Sequence, residues 1–94
     1  MSIPQHLVTT VRLIQCAFPK GIDEVSYLIL IKILSEEMSD RNLADCISYC
    51  SEKNLSEVMN DVYKARCADY SHQDISKVLH KLEGCGYNEW LEEE

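Results

Sequence analysis

The chain has little of what builds turns: three glycines and two prolines in 94 residues. So few breaks favour long elements over many short strands, which need Gly- and Pro-rich turns between them. No glycine-rich loop is present, so the backbone cradle used by phosphate-binding enzymes is missing. No apolar run approaches the roughly 20 residues of a membrane-spanning helix. The longest, Tyr27 to Leu34, is eight residues and contains Lys32. No other segment alternates apolar and polar residues with period two, so a strand in this run would have no partner.

Positive charge is also scarce. Nine Lys and Arg stand against sixteen Asp and Glu, for a net charge of −7. That balance repels phosphate backbones and anionic lipid and suits a basic partner. The opening MSIPQHLVTT lacks the basic start and apolar run of a secretory signal. Five cysteines, at positions 16, 46, 50, 67 and 85, make an odd number. Together these predict a cytoplasmic protein with reduced, hidden thiols.

What is abundant is helical periodicity. Ile3, Leu7, Val11, Ile14 and Phe18 step by three or four residues. Leu43, Cys46, Ile47 and Cys50 fit the i, i+3, i+4, i+7 pattern, as do Leu55, Val58, Met59 and Val62, and Ile75, Val78, Leu79 and Leu82. Each set places an apolar stripe along one helix face. Asp23, Ser39, Asn54 and Ser71 stand where N-caps belong, the last two followed three residues on by Glu57 and Asp74. Gly84 and Gly86 suit the close of the last long helix.

The expected fold is all-α: a single compact bundle of four to five short helices, one domain over residues 1–94. Helices are predicted near 4–17, 24–36, 40–53, 55–67 and 72–84. A short final turn returns Trp90 and Leu91 to the core, and the acidic end 92–94 frays. The second helix, apolar on nearly all sides, belongs at the centre. Phe18-Pro19-Lys20-Gly21 is the turn that delivers it, with Pro19 fixing φ and Gly21 free to take a positive φ.

The turn Phe18, Pro19, Gly21, Ile22, followed by Tyr27, Leu30, Ile31, Ile33 and Leu34, resembles the signature of a family of small bacterial proteins catalogued as a domain of unknown function. Met38, Ser39 and Asp40 resemble that family's next helix start. Asp74, Val78, Leu82, Gly86 and Tyr87 resemble its C-terminal helix and Gly-aromatic pair. The family often has Pro at the position of Asp23, Asp at Ser26 and Trp-Pro at Tyr87-Asn88. The resemblance covers most of the chain and implies a compact helical fold. It implies no activity.

Chemistry-bearing patterns are thin. Cys46 and Cys50 lie one helical turn apart, and could hold a soft metal if Cys85 with His80, or Cys67 with His72, completed the set. Both thiols fall on the apolar stripe with Leu43 and Ile47, which reads as core. No nucleophile sits in a tight glycine turn, and His6, His72 and His80 read as surface residues. No catalytic residue, cofactor or metal is therefore expected.

Residues 55–87 resemble a helix-turn-helix, with Lys77 and Lys81 on the second helix. Asp74, Glu83, Glu89 and the acidic tail oppose phosphate contacts. Transcription-related DNA binding through this segment is accordingly the alternative. The preferred function is protein–protein interaction, with Glu52, Glu57, Asp61, Tyr63, Asp69, Tyr70 and Trp90 offered to a basic partner. An immunity- or antitoxin-like protein would have this form.

Overall fold

A computed structural model describes residues 4–51 and 53–93, the side chains of His6 and Glu93 excepted. Ile3, Glu52 and Glu94 lie outside the described residues. The described residues form six helices and no strand: α1 Gln5–Ala17, α2 Glu24–Ser35, α3 Asp40–Cys50, α4 Leu55–Cys67, α5 His72–Glu83 and α6 Tyr87–Glu93. The fold is thus an all-α bundle, of six helices among the described residues where four to five were expected. The expected final turn is a full helix, and Glu92, expected to fray, lies within it.

The helix starts follow from short polar side chains. Asp23, Ser39, Asn54 and Ser71 each accept a hydrogen bond from the backbone N–H three residues on. Each thereby satisfies one of the donors a helix leaves open in its first turn. Between α1 and α2 the chain reverses at Pro19 and Lys20, and Gly21 takes φ +101°. The Gly21 N–H donates to Phe18 O at 3.1 Å, closing the turn. Of the two C-terminal glycines only Gly86 is left-handed, at φ +93°. Gly84 stays helical at φ −66°, and its N–H still reaches the carbonyls of α5.

α2 is the centre. Tyr27, Ile29, Leu30, Ile31 and Leu34 are buried, and Leu28 and Ile33 pack at the edge of the core. It rests against α3, α4 and α5, whereas α4 and α5 make no close backbone approach to each other among the described residues. α1 packs on α3, α5 and α6. No described helix is long and apolar enough to cross a membrane.

α2 and α4 run in the same direction, since Tyr27 in the first turn of α2 meets Lys53 just before α4 and Asp61 at its middle, and Ser35 meets Arg66 near their ends. Parallel helices finish side by side, and each caps the other. Lys32 of α2 donates to the carbonyl of Ala68, the C-cap of α4, while Arg66 of α4 donates to Ser35 O, the last carbonyl of α2, at 3.1 Å. The lysine inside the longest apolar run therefore serves a helix end. Its alkyl stem crosses apolar surface and its ammonium reaches polar atoms at the edge.

The thiols depart from expectation. Cys16 and Cys85 are joined in a disulfide, with Cα atoms 5.9 Å apart across 69 residues of sequence. Five reduced cysteines were expected from an odd count. The count says nothing of two positions that the fold alone makes neighbours, the end of α1 and the turn before α6. Cys46 is buried and Cys50 half-buried, whereas Cys67, expected inside, is exposed at the end of α4.

Candidate protein-binding surface

The residues expected to meet a partner divide into three groups. Tyr63 is exposed at 58%, and Asp69 and Glu57 also face solvent. Glu57 additionally completes the cap of α4. Its backbone N–H donates to Asn54 Oδ1 at 2.9 Å, and its carboxylate accepts from Asn54 Nδ2 at 3.0 Å. Glu52 lies outside the described residues.

Asp61 and Tyr70 turn inward. Asp61 Oδ2 accepts from the Tyr27 hydroxyl at 2.7 Å and from Lys53 Nζ at 3.3 Å. Lys53 also sits 4.2 Å above the Tyr27 ring. Burial and the Asp61 carboxylate both hold Tyr27 protonated, pushing its phenol well above the ordinary value. A groove of about 340 Å³ opens beside this trio, walled by Tyr27, Lys53, Glu24 and Cys50. The Cys50 thiol donates to Val11 O at 3.9 Å, and burial raises it to about 11. That thiol is a poor nucleophile at neutral pH, because the thiolate is the reactive form. Tyr70 lies half-buried with Lys32 Nζ 5.7 Å from its ring centroid. Its hydroxyl is buried with no hydrogen-bond partner among the described residues.

Trp90 is not at the surface. It is 4% exposed, donates from Nε1 to Thr10 Oγ1 at 2.9 Å, and stacks on Tyr87 at 5.7 Å between ring centroids. The cause is the register of α6. Positions 87, 90 and 91 share one face, and that face is laid on α1. An exposed role for Trp90 would have required the C-terminal segment to stay off the bundle.

The stronger acidic feature lies elsewhere. Tyr87 is buried, and after burial itself the carboxylates of Glu37, Glu36 and Glu83 push its phenol up. Those carboxylates, on the α2–α3 turn and at the end of α5, are exposed and close enough to act on Tyr87, and Glu36 also lines a groove with Lys32 and Arg66. Residues 87–94 add four more glutamates and no Lys or Arg. Among the described residues the ion-paired carboxylates are Asp40 with Arg66, Asp45 with Arg41 and Asp61 with Lys53. The glutamates of this pole are not among them. Sequence reading missed the pole because Glu36, Glu37 and Glu83 are distant in the chain. Its C-terminal part, Glu83, Glu89 and the acidic tail, was legible in the sequence.

For a metal, Cys85 is already committed to Cys16, so it cannot complete a set with His80. Among the described residues no group of three or more His, Cys, Asp or Glu side chains is placed to hold an ion. Comparison with known family models, with curated proteins and with solved structures finds no match to this chain.

Proposed function

We propose that this chain is a non-enzymatic protein-binding module that presents its acidic pole to a basic partner, in the manner of an immunity or antitoxin protein. The observation that carries this reading is that Glu36, Glu37 and Glu83, all acting on Tyr87, are exposed and outside every ion pair of the described residues. Like charges gathered on a folded surface repel one another, and a cationic partner removes that repulsion while being steered toward it. Glu57 and Tyr63, exposed on α4, offer a further contact. The likeness to the small bacterial helical family belongs to the same proposal, supported by the Gly21 turn forming at the motif that suggested it.

DNA binding by residues 55–87 finds less support. A helix-turn-helix packs its two helices on each other, whereas α4 and α5 make no close backbone approach and each packs on α2.

The test is capture from the source cell with the tagged protein, at low and at high salt. A partner of high isoelectric point should be retained at low salt and shed at high salt. It should be lost by a Glu36→Lys/Glu37→Lys/Glu83→Lys variant that keeps its helical spectrum. Retention by that variant, or enrichment of no basic protein, sinks the proposal.

A further inference from the structure

α6 is held by few ties. Seven residues are too few for a helix to persist alone in water. It stays through the burial of Tyr87 and Trp90, the Trp90–Thr10 hydrogen bond, and the disulfide that fastens the preceding turn to α1. Electrostatics oppose these ties. Tyr87, at the helix start, already lies within reach of Glu36, Glu37 and Glu83, and α6 brings Glu89 and Glu92 with no cation of its own.

The disulfide is open to a reagent. Cys16 is exposed, Cys85 half-buried, and both line a groove of about 450 Å³ with Arg12, Glu89 and Trp90. We propose that the Cys16–Cys85 disulfide is a reducible clasp, an exchange site for a dithiol, whose opening releases α6 from α1 while the rest of the bundle stays folded. A thiolate of the dithiol attacks Sγ of Cys16, the more exposed residue. The S–S bond breaks, its electron pair leaves on Cys85 Sγ, and that sulfur takes up a proton. The second thiol of the reagent then attacks the mixed disulfide. Cys16 departs as a thiolate and is protonated, and the reagent leaves as its own disulfide.

Two electrons and two protons have then passed from the dithiol to the protein. Arg12, in the wall of the groove, favours a departing thiolate, and Glu89 works against it. Once the bond is open, seven residues with two aromatic anchors and one hydrogen bond no longer hold, and α6 leaves α1 as Trp90 loses Thr10. The clasp does not require the proposed partner, and a cation bound at these glutamates would oppose its opening.

Trp90 is the chain's one tryptophan, so it reports the event without a label. Oxidised protein is titrated with dithiothreitol at low salt. Trp emission, acrylamide quenching and far-UV circular dichroism are followed, and thiols are alkylated and mapped by mass spectrometry. The expected result is alkylation appearing at Cys16 and Cys85 together with a red-shifted, more readily quenched Trp90. Helical signal should fall by no more than one short helix, and added salt should partly reverse the change. The Cys16→Ser/Cys85→Ser variant should show the released Trp90 signal without reductant. Should that variant not fold, the titration of the native protein decides alone. Mapped reduction with Trp90 unchanged would overturn the proposal. So would loss of all helical signal in the same step, or peptide mapping that finds the two cysteines unlinked without reductant.

Discussion

Phenylalanine at the buried Tyr27 and at the half-buried Tyr70 removes the same atom, and the structure requires opposite results. The Tyr27 hydroxyl donates to Asp61 Oδ2 at 2.7 Å, on a residue whose side chain is only 16% exposed. A hydrogen bond to a charged acceptor contributes about 1.5–3 kcal/mol. Asp61 retains Lys53 at 3.3 Å, which softens the loss. Tyr27→Phe should therefore destabilise by about 2 kcal/mol. With a urea m-value of about 1 kcal/mol/M, the unfolding midpoint drops by about 2 M.

The Tyr70 hydroxyl has no described partner, so it is buried at a cost and repaid by nothing. Tyr70→Phe should be neutral or stabilising by up to about 1 kcal/mol, because the ring and its contact with Lys32 survive. Urea unfolding followed by far-UV circular dichroism measures both. A Tyr27→Phe/Asp61→Asn double-mutant cycle should return a coupling of about 1 kcal/mol or more. Equal effects at the two tyrosines, or a larger loss at Tyr70, would refute the reasoning that partner geometry decides what each hydroxyl contributes.

Two glycines make a similar pair. Gly21→Ala meets no atom within 4 Å but must hold φ +101°, costing about 1–2 kcal/mol. Gly84→Ala sits at φ −66° in ordinary contact with His80 O at 3.6 Å, and should gain about 0.5–1 kcal/mol, as thermal melts of the two variants will show. Arg66→Ala removes the cap on Ser35 and the 2.7 Å ion pair with Asp40, for a loss of about 1–2 kcal/mol. Arg66→Lys should recover only part of that, because a lysine cannot serve both oxygens with one planar fork.

Stability should also fall in alkali. Burial holds Cys50 at about 11 against an ordinary 9.0, and Tyr27 is likewise raised, so the folded state favours both neutral forms. Their contribution is complete below pH 9.0 and is lost as pH rises through the folded values. Denaturation midpoints measured from pH 8 to about 11 should fall, and less steeply in Tyr27→Phe. A flat profile contradicts the assignment.

Local chemistry was open to sequence reading because it acts over three or four residues. The caps at Asp23, Ser39, Asn54 and Ser71, the Gly21 turn and the apolar stripes of α3, α4 and α5 all depend on neighbours along the chain. The central place of α2 was legible too, since a helix apolar on most sides has only one environment that suits it. The length of α6 was not. Residues 87–93 carry glutamates and a single turn's worth of apolar spacing, and the docking of Tyr87 and Trp90 on α1 is what makes them a helix.

Sequence alone determined that this chain is helical, where α1 to α5 begin, and that its charge is negative, for these follow from spacing and composition. Tertiary structure decided which polar groups face water. It turned Asp61 toward Tyr27, hid Trp90 behind Thr10, sent Lys32 to the end of α4, and joined Cys16 to Cys85. The physical reason is that each of these contacts spans at least 34 residues of chain. Periodicity fixes a residue's face on its own helix. It holds no information about which other helix that face will meet.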